Sequence, residues 1–381
     1  MYDVLIVGAG PIGSYCGYLL AKKGVKAAIL EEHSSIGEDV NCSGIISTET
    51  FDRFNLPLDS IISRMYSVKL ISPSGKSSRY SPDECLAYIV DRERFDPNIA
   101  DMAKREGVEF IFNSKVYDIN YENDSMSFVS NKYVDVRVDS ARIGIISTGY
   151  GTALTKKMGC GDFPETFFAA QTEAEMTGIE ETEIYVGNEV APGSFAWAVP
   201  SGTSHAKVGL SVNKDPLGYL KKLLSNPYFC DRIKYKKFDI KVSALPLGTI
   251  PKSYTHNAIV VGEAAGQLKS TTHGGIYYGL LCADMASESV LQALGDMDNS
   301  ARYLKRYDEV WREALEPEIK MGIYLRQLFS KFTDGQIDFL VELSAKKEFG
   351  HLLKKFKFDW HHDVIHSSID LLKSLQFLKP F

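Results

Sequence analysis

The stretch "DVLIVGAGPIGSYCGYLLAKKG" at residues 3–24 decides the fold. The apolar run at residues 4–7 predicts a buried parallel strand, and the segment after it predicts a turn and a helix. Gly8, Gly10 and Gly13 form the pattern G-x-G-x-x-G. The first glycine permits a tight turn, the second lets a pyrophosphate approach the backbone, and the third lets the helix pack against the strand. The stretch therefore predicts a dinucleotide site at a helix N-terminus, where free N–H groups attract phosphate.

An acidic pair follows the second predicted strand, "VKAAILEE" at residues 25–32. A carboxylate at the end of this strand accepts hydrogen bonds from a ribose in dinucleotide-binding domains. Because Glu31 directly follows Leu30, we predict that Glu31 has this role and that Glu32 is a solvated neighbour. The alternative to a dinucleotide site is that the G-x-G-x-x-G pattern forms a glycine-rich turn in another kind of α/β unit.

Composition limits the class of protein. A chain of 381 residues predicts two or three structural units, and a formal net charge of −6 disfavours nucleic acid as a partner. No apolar run reaches the ~20 residues that cross a bilayer, and the N-terminus has no basic signal-peptide region. The six cysteines lack C-x-x-C spacing, so we expect no metal or iron–sulfur site but reduced thiols, as in a cytoplasmic protein.

The strand–turn–helix pattern returns late in the chain. Residues 258–261 are an apolar strand, and residues 262–266, "GEAAG", form a turn. Gly274 and Gly275 then precede a long helix of small and apolar residues. Distant parts of the chain are therefore expected to complete one nucleotide-binding unit.

The middle of the chain has a different pattern. Residues 65–86 and 159–248 contain alternating strands separated by glycine, proline and serine turns, which predicts an antiparallel sheet beside the nucleotide-binding unit. Such an arrangement leaves a cavity between the two units. Phe195, Trp197 and Val199 alternate along one strand and so share a face. They line this cavity in one interpretation and belong to ordinary sheet core in the other.

The C-terminal part, residues 300–381, has a helical pattern. Leu352, Leu353, Phe356 and Trp360 lie at helical spacing beside several lysines. An amphipathic basic helix of this kind can lie on an anionic membrane surface, which predicts possible peripheral membrane contact. The alternative is a helix packed on the core.

The order of several motifs resembles one family. These motifs are "GAGPIGS", "NCSGIIS", "DRERFD", "PGSFAWAVP", "AKVGLSV" and "GEAAGQLKSTTHGGIYYGL". Over residues 1–300 the chain is similar to the FAD-dependent geranylgeranyl reductases, within the flavoproteins related to p-hydroxybenzoate hydroxylase. The resemblance implies an α/β fold with a Rossmann-like FAD-binding domain, an antiparallel substrate sheet and a C-terminal helical region.

The domain boundaries follow from the resemblance and the patterns together. We predict a discontinuous FAD-binding domain at residues 1–64, 87–158 and 249–299. The substrate domain is predicted at residues 65–86 and 159–248, and the helical domain at residues 300–381.

The resemblance also implies positions that contact FAD. At the phosphate end they are Gly8, Gly10, Ile12 and Gly13 at the pyrophosphate, Glu31 at the ribose, Arg92 near the phosphates and Val116 at the adenine. At the flavin end they are Glu263 at the ribityl chain and pyrophosphate, Gly274, Gly275 and Ile276 at the flavin's pyrimidine edge, and Cys42, Ser43 and Gly44 near the ring. Arg92 has an alternative as a surface ion pair with Glu93 or Asp96, and Glu263 as a helix-start acid. Thr148 and Glu263 each stand at a position where the family usually has an aspartate.

The catalytic and substrate positions follow from the expected location of the flavin. Tyr277 and Tyr278 begin a helix near the expected flavin, so we expect one to face the cavity, Tyr277 as a substrate contact or Tyr278 as a catalytic residue. His273 is either a proton donor or a capping residue of the turn. Cys42 is either a proton donor beside the flavin or a buried filler.

The implied activity is reduction of C=C bonds in an isoprenoid lipid by FAD. No second G-x-G-x-x-G is present, so electrons are expected from transient NAD(P)H or a small redox protein. A monooxygenase or dehydrogenase for a small aromatic or quinone substrate is the alternative, because the fold is shared. A redox-inactive flavoprotein that binds lipid is a third. The sequence leaves the oligomeric state open.

Overall fold

The computed structural model describes residues 1–381 except 123–124, 133–134, 236, 347–356 and 375–381. Leu352, Leu353 and Phe356 of the predicted amphipathic helix thus lie outside the described residues. Within the described part, no helix combines the length and the apolar character needed to cross a membrane.

The described strands lie within residues 2–260. They are β1 (Tyr2–Val7), β2 (Ala27–Leu30), β3 (Ile45–Ser47), β4 (Ile61–Met65), β5 (Val68–Ile71), β6 (Ser77–Tyr80), β7 (Ala87–Val90), β8 (Glu109–Ile111), β9 (Lys115–Tyr121), β10 (Met126–Lys132), β11 (Asp135–Ile146), β12 (Glu165–Glu175), β13 (Thr182–Tyr185), β14 (Ala196–Pro200), β15 (His205–Val212), β16 (Lys241–Leu247), β17 (Tyr254–Thr255) and β18 (Ala258–Val260).

Helices separate these strands and dominate the C-terminal part. They are α1 (Pro11–Ala21), α2 (Thr48–Phe54), α3 (Arg92–Arg105), α4 (Thr152–Lys157), α5 (Pro216–Ser225), α6 (Pro227–Cys230), α7 (Ile276–Asp296), α8 (Ala301–Phe329), α9 (Asp334–Ser344) and α10 (His362–Ser374).

Among the described residues the strands form three sheets. The first has the order β17-β18-β11-β1-β2-β8, with β10 and β9 added beside β11. Strands β18, β11, β1, β2 and β8 are parallel, as the continuous apolar runs predict. Helices α1, α3, α7 and α8 cover one face of this sheet and enclose the larger apolar core. The carboxyl ends of the parallel strands therefore share one edge, where ligands bind in such sheets.

The second sheet has the order β16-β12-β15-β14-β13-β5-β6. Its pairs are antiparallel, as predicted, except that β13 runs parallel to β5. No hairpin joins β5 to β13, so the connection does not require these two strands to be antiparallel. A small antiparallel sheet, β3-β7-β4, completes the strand pairing. The domain boundaries given above remain a prediction.

A close approach between α1 and the first sheet depends on Gly13. A Cβ atom at Gly13 would lie 2.1 Å from the Gly8 carbonyl oxygen and 2.4 Å from Ser147 Oγ. A Cβ at Gly10 would meet no atom within 4 Å. The two glycines therefore differ: Gly13 permits packing, whereas Gly10 leaves open space beside the loop.

We expect Gly13→Ala to destabilise the fold by about 1–3 kcal/mol, because the methyl group overlaps backbone atoms that have no room to move. Thermal unfolding of the apoprotein would measure this, with Gly10→Ala as the matched control. The control should unfold close to the wild-type temperature, since its backbone (φ −60°) suits alanine. Equal unfolding temperatures for Gly13→Ala and the wild type would contradict the packing role.

Candidate functional site

One large cavity, of about 1220 Å³, lies at the shared edge of the parallel strands. Its wall begins at the residues that directly follow strand ends: Gly8 after β1, Glu31 after β2, Ser147 after β11 and Val261 after β18. The second sheet and part of the C-terminal region form the opposite wall. The volume exceeds the ~300–1,000 Å³ of ordinary small-molecule sites, so a large ligand or two ligands would fit.

Two helices begin at the cavity without a capping side chain. Gly10 is the N-cap of α1 and Gly275 is the N-cap of α7, and neither helix has a side-chain cap hydrogen bond. Gly10, Ile12, Gly274, Gly275 and Ile276 all lie in the cavity wall. The first N–H groups of both helices thus remain available to an anionic ligand. Gly13 is not part of the described lining, because it packs against the sheet.

Glu31 lies buried at the end of β2. The Ala9 N–H donates to Glu31 Oε2 (2.7 Å), and the His33 N–H donates to Oε1 (3.0 Å). His33 Nδ1 also lies 2.6 Å from Oε1, so Oε2 is the oxygen that keeps a lone pair for a ribose hydroxyl. Glu32 instead forms an exposed ion pair with Lys115. This arrangement agrees with the choice of Glu31 over Glu32.

Arg92 is paired with an acid, but inside the protein. Its Nε and Nη2 groups donate to the Asp96 carboxylate at 2.6 and 2.8 Å. Both side chains are nearly inaccessible (12% and 4% exposed), so the pair is not the surface contact that the alternative interpretation described. Burial disfavours the charged guanidinium, but the Asp96 carboxylate outweighs it, so the pKa of Arg92 is raised. Arg92 therefore stays cationic in the cavity wall, where it also contacts the Cys42 side chain.

The loop around Cys42 is anchored to the second sheet. Gln171 donates from Nε2 to the Cys42 carbonyl oxygen (3.2 Å), and Trp197 donates from Nε1 to Gln171 Oε1 (3.0 Å). Cys42, Trp197 and Gln171 all line the cavity. Sequence reasoning missed Gln171, because a single polar residue in a long strand has no local signal for this contact. The loop and the aromatic wall are thus fixed to each other.

Gly44 is absent from the described lining of the cavity, although its neighbours Cys42 and Ser43 line it. Its backbone pairs with β7 through a hydrogen bond from the Val90 N–H to the Gly44 oxygen (2.9 Å). A Cβ at Gly44 would lie 2.5 Å from the Val90 oxygen, and the backbone there is left-handed (φ +81°). The left-handed backbone and the pairing with β7 therefore require glycine at this position. Ser43 does line the cavity.

Glu263 lies in the cavity wall after β18. Burial raises the pKa of its carboxyl to about 7, and Arg92 partly opposes this shift. The side chain thus changes charge near neutral pH.

Thr148 Oγ1, also in the wall, is buried and has no hydrogen-bond partner among the described residues. Val116 lines the same cavity, and two residues before it the Ser114 N–H donates to the backbone oxygen of Glu31 (2.8 Å).

The apolar wall includes only part of the predicted substrate set. Phe195 and Trp197 line the cavity, with ring centroids 5.8 Å apart. Val199 is fully buried and is not part of the described lining. Alternation along β14 predicts the face of a residue but not how far the cavity extends along the strand.

The two tyrosines at the start of α7 are divided between cavity and core. Tyr277 lines the cavity, and its hydroxyl donates to Glu49 Oε1 (2.6 Å). Burial, together with this hydrogen bond, raises the pKa of Tyr277 to about 12. Tyr278 is buried against Trp360, with ring centroids 5.9 Å apart, and is outside the described lining. The structure thus offers no access to Tyr278 for a catalytic role.

A segment of the C-terminal region closes one side of the cavity. Lys269 donates from Nζ to Asp359 Oδ1 (2.8 Å), and both side chains are buried. Phe358 and His361 lie beside them in the wall. Sequence reasoning assigned this segment to a separate helical domain, because no local pattern marks a residue that reaches a distant site.

His273 is placed in the cavity wall by a left-handed backbone (φ +57°). Burial and the neighbouring Arg326 hold the pKa of the imidazole well below its ordinary value. His273 is therefore neutral at physiological pH. The surroundings of His273 therefore disfavour an imidazolium at this position.

Comparisons with known proteins match both halves of the site. The family described as "FAD binding domain" matches residues 1–56, and the family described as "Geranylgeranyl reductase catalytic domain" matches residues 167–241. These ranges contain the glycine loop and the aromatic wall, respectively.

Full-length relatives agree with these matches. A digeranylgeranylglycerophospholipid reductase of Methanocaldococcus jannaschii is 32% identical over 93% of this chain and 94% of its own length. Digeranylgeranylglycerophospholipid reductase 2 of Methanothermobacter thermautotrophicus is 26% identical over 93% and 94%. The crystal structure of a geranylgeranyl bacteriochlorophyll reductase-like protein from Thermoplasma acidophilum has a TM-score of 0.86 at 20% identity, covering 99% of this chain and 98% of that one.

These findings confirm the predicted fold class, the predicted FAD cofactor and the predicted class of oxidoreductase. The M. jannaschii protein is the basis of the family assignment, because its identity extends over almost the whole of both chains. The chain belongs to the FAD-dependent geranylgeranyl reductase family.

Proposed function

We propose that this chain saturates C=C bonds in the geranylgeranyl chains of a digeranylgeranylglycerophospholipid. The observation that carries the proposal is that one continuous cavity contains both the nucleotide-binding features and the apolar wall. The family relatives are named for this substrate. When bound in its reduced form, FAD supplies the hydride equivalent.

The residues of the cavity fit FAD. The uncapped N-terminus of α1 would hold the pyrophosphate, Glu31 the adenosine ribose, and Arg92 would add a fixed positive charge. The uncapped N-terminus of α7 would favour negative charge on the flavin ring. The space beside Gly10, where a Cβ would meet nothing within 4 Å, admits a phosphate close to the backbone.

The aromatic wall suits an isoprenoid chain. An isolated alkene has no carbonyl that the protein could polarise, so positioning and exclusion of water must supply the help. Phe195, Trp197 and Ile184 offer apolar contact along the second sheet. The hydrogen bond from Trp197 to Gln171 keeps the indole in place.

A proton must reach the carbon that does not receive the hydride, and Cys42 is the donor that fits best. His273 is neutral, and the Tyr277 hydroxyl is engaged by Glu49. The Cys42 thiol lies in the wall, and loss of its proton would leave a thiolate beside the cationic Arg92. Water would later return the proton to the sulfur.

The electron donor and the membrane contact belong to the same proposal. Electrons would come from transient NAD(P)H or a small redox protein.

A lipid substrate must be drawn from a bilayer, which favours a peripheral contact of a cytoplasmic protein. Flotation with anionic lipid vesicles tests this contact, and failure to float would contradict it.

Anaerobic reoxidation tests the proposed activity. We expect the reduced FAD-loaded protein to regain its oxidised flavin absorbance when digeranylgeranylglycerol phosphate is added. Mass spectrometry should then show two added hydrogens for each flavin reoxidised. Substrate-triggered oxygen consumption without a saturated lipid would instead favour a monooxygenase.

We expect Cys42→Ala and Cys42→Ser to lower the single-turnover rate of lipid reduction about 10²-fold or more, because the general acid is lost. Serine is a far weaker acid than a thiol. The flavin content per protein should not change. Cys85→Ala, which removes a half-buried thiol outside the described lining, is the matched control. Full-rate reduction by Cys42→Ala would remove Cys42 from the mechanism.

FAD affinity should depend on pH through Glu263. A neutral carboxyl can donate to a phosphate, whereas a carboxylate repels it, so phosphate binding raises the pKa of Glu263 further. Affinity is therefore full below about pH 7 and falls up to tenfold per pH unit above it. FAD titration of the apoprotein from pH 6 to 9 measures this. Glu263→Gln should abolish the dependence and Glu106→Gln, an exposed control, should keep it. An unchanged slope in Glu263→Gln would refute this account.

A further inference from the structure

A buried arginine organises the loop that precedes α7. Arg326, near the end of α8, is only 7% exposed. Its Nε donates to the Ser270 oxygen, Nη2 to the Thr271 oxygen and Nη1 to Ser194 Oγ, each at 3.0 Å. Nη2 also lies 2.8 Å from Nε2 of His273. The guanidinium thus joins the loop to the second sheet and contacts the imidazole directly.

The contact with Arg326 determines the tautomer of His273. A guanidinium has donors only, so His273 Nε2 must accept this hydrogen bond. A neutral imidazole that accepts at Nε2 carries its hydrogen on Nδ1. Burial of Arg326 lowers its pKa to about 10, which still leaves it charged at neutral pH. The Nδ1–H form of His273 is therefore maintained.

This Nδ1–H group has no partner within the described residues. The atom is buried, and the ring lies in the cavity wall directly before Gly274. The His273 backbone N–H donates to the Lys269 oxygen (2.8 Å), so the left-handed turn is held in place. A buried donor without an acceptor costs about 1–3 kcal/mol, so a ligand of the cavity is expected to supply the acceptor.

We propose that His273 donates its Nδ1–H to an acceptor atom of the flavin ring, and that Arg326 is the positioning residue that maintains this donor. The inference rests on the proposed function, because it assumes FAD at the N-terminus of α7. An isoprenoid chain consists of carbon and hydrogen, whereas the flavin ring carries carbonyl oxygens and ring nitrogens. The acceptors of the lipid belong to its head group, and the proposed function places the flavin ring, not that head group, at the N-terminus of α7.

The bond favours reduced flavin. Reduction places negative charge on the ring, and a hydrogen bond to a charged acceptor is stronger than one to a neutral acceptor. The Nδ1–H group and the α7 N-terminus then act together on the same ring. His273 thereby tunes the cofactor without donating its proton to the substrate.

The midpoint potential of the bound flavin tests the proposal. We expect His273→Asn, whose side chain tolerates a left-handed backbone, and His273→Ala to disfavour reduced flavin by about tenfold. For a two-electron couple this is a decrease of about 30 mV. His205→Ala, at an exposed histidine, should leave the potential unchanged. Unchanged potentials in both His273 variants would overturn the proposal.

The tautomer is a second, independent readout. Histidine labelled with ¹⁵N should show one ring in the Nδ1–H form in the wild type, and His273→Asn identifies this signal by its loss. Arg326→Lys keeps a donor opposite Nε2 and should keep the tautomer, whereas Arg326→Gln can accept a hydrogen bond and should release it. An Nε2–H tautomer in the wild type would overturn the proposal.

Failure of the inference can be told from failure of the proposed function. Flavin absorbance shows whether each variant binds FAD, and lipid reduction by the wild type shows whether the activity is present. A wild type that binds FAD and reduces the lipid, with a potential insensitive to His273, refutes the inference alone. A wild type that does not bind FAD refutes both.

Discussion

The rest of the site depends on the close contact between α1 and the ends of β1 and β11 at Gly13. Because Gly13 has no side chain, α1 packs so closely that a Cβ atom at this residue would lie 2.1 Å from the Gly8 oxygen. This contact directs the N-terminus of α1 into the space above the parallel strands. Glu31 at the end of β2 then lies beside the same opening, with the Ala9 N–H bound to its carboxylate. The nucleotide end of the cavity thus follows from one packing constraint.

The electrostatics of the cavity are divided between its two ends. Uncapped helix N-termini and the cationic Arg92 favour an anionic ligand on the side of the first sheet. The wall formed by Phe195 and Trp197 on the second sheet presents mainly apolar surface. A charged cofactor and an uncharged hydrocarbon chain therefore prefer opposite walls of a single space. The network from Trp197 through Gln171 to the Cys42 loop keeps these walls in register.

Sequence reasoning predicted the features that have a local cause. Gly8, Gly10 and Glu31 belong to one continuous strand–helix–strand motif, so their positions could be derived before the fold was known. Gln171, Arg326 and Asp359 could not be predicted, because each reaches the site only through contacts between segments distant in sequence. Val199 and Tyr278 were misplaced because periodicity predicts a face but not the extent of a cavity along it. The pairing of Gly44 with β7 also has no local signal, because β7 lies more than forty residues further along the chain.

The central claim is that cofactor and lipid share one cavity between the α7 N-terminus and the second sheet. The most direct measurement is a crystal structure of the protein with FAD and the saturated lipid product. The account predicts the flavin ring beside Gly274 and Ile276, within hydrogen-bond distance of His273 Nδ1. It predicts a prenyl chain in contact with both the flavin ring and Trp197. A lipid bound outside this cavity, or a flavin ring remote from α7, would contradict the account.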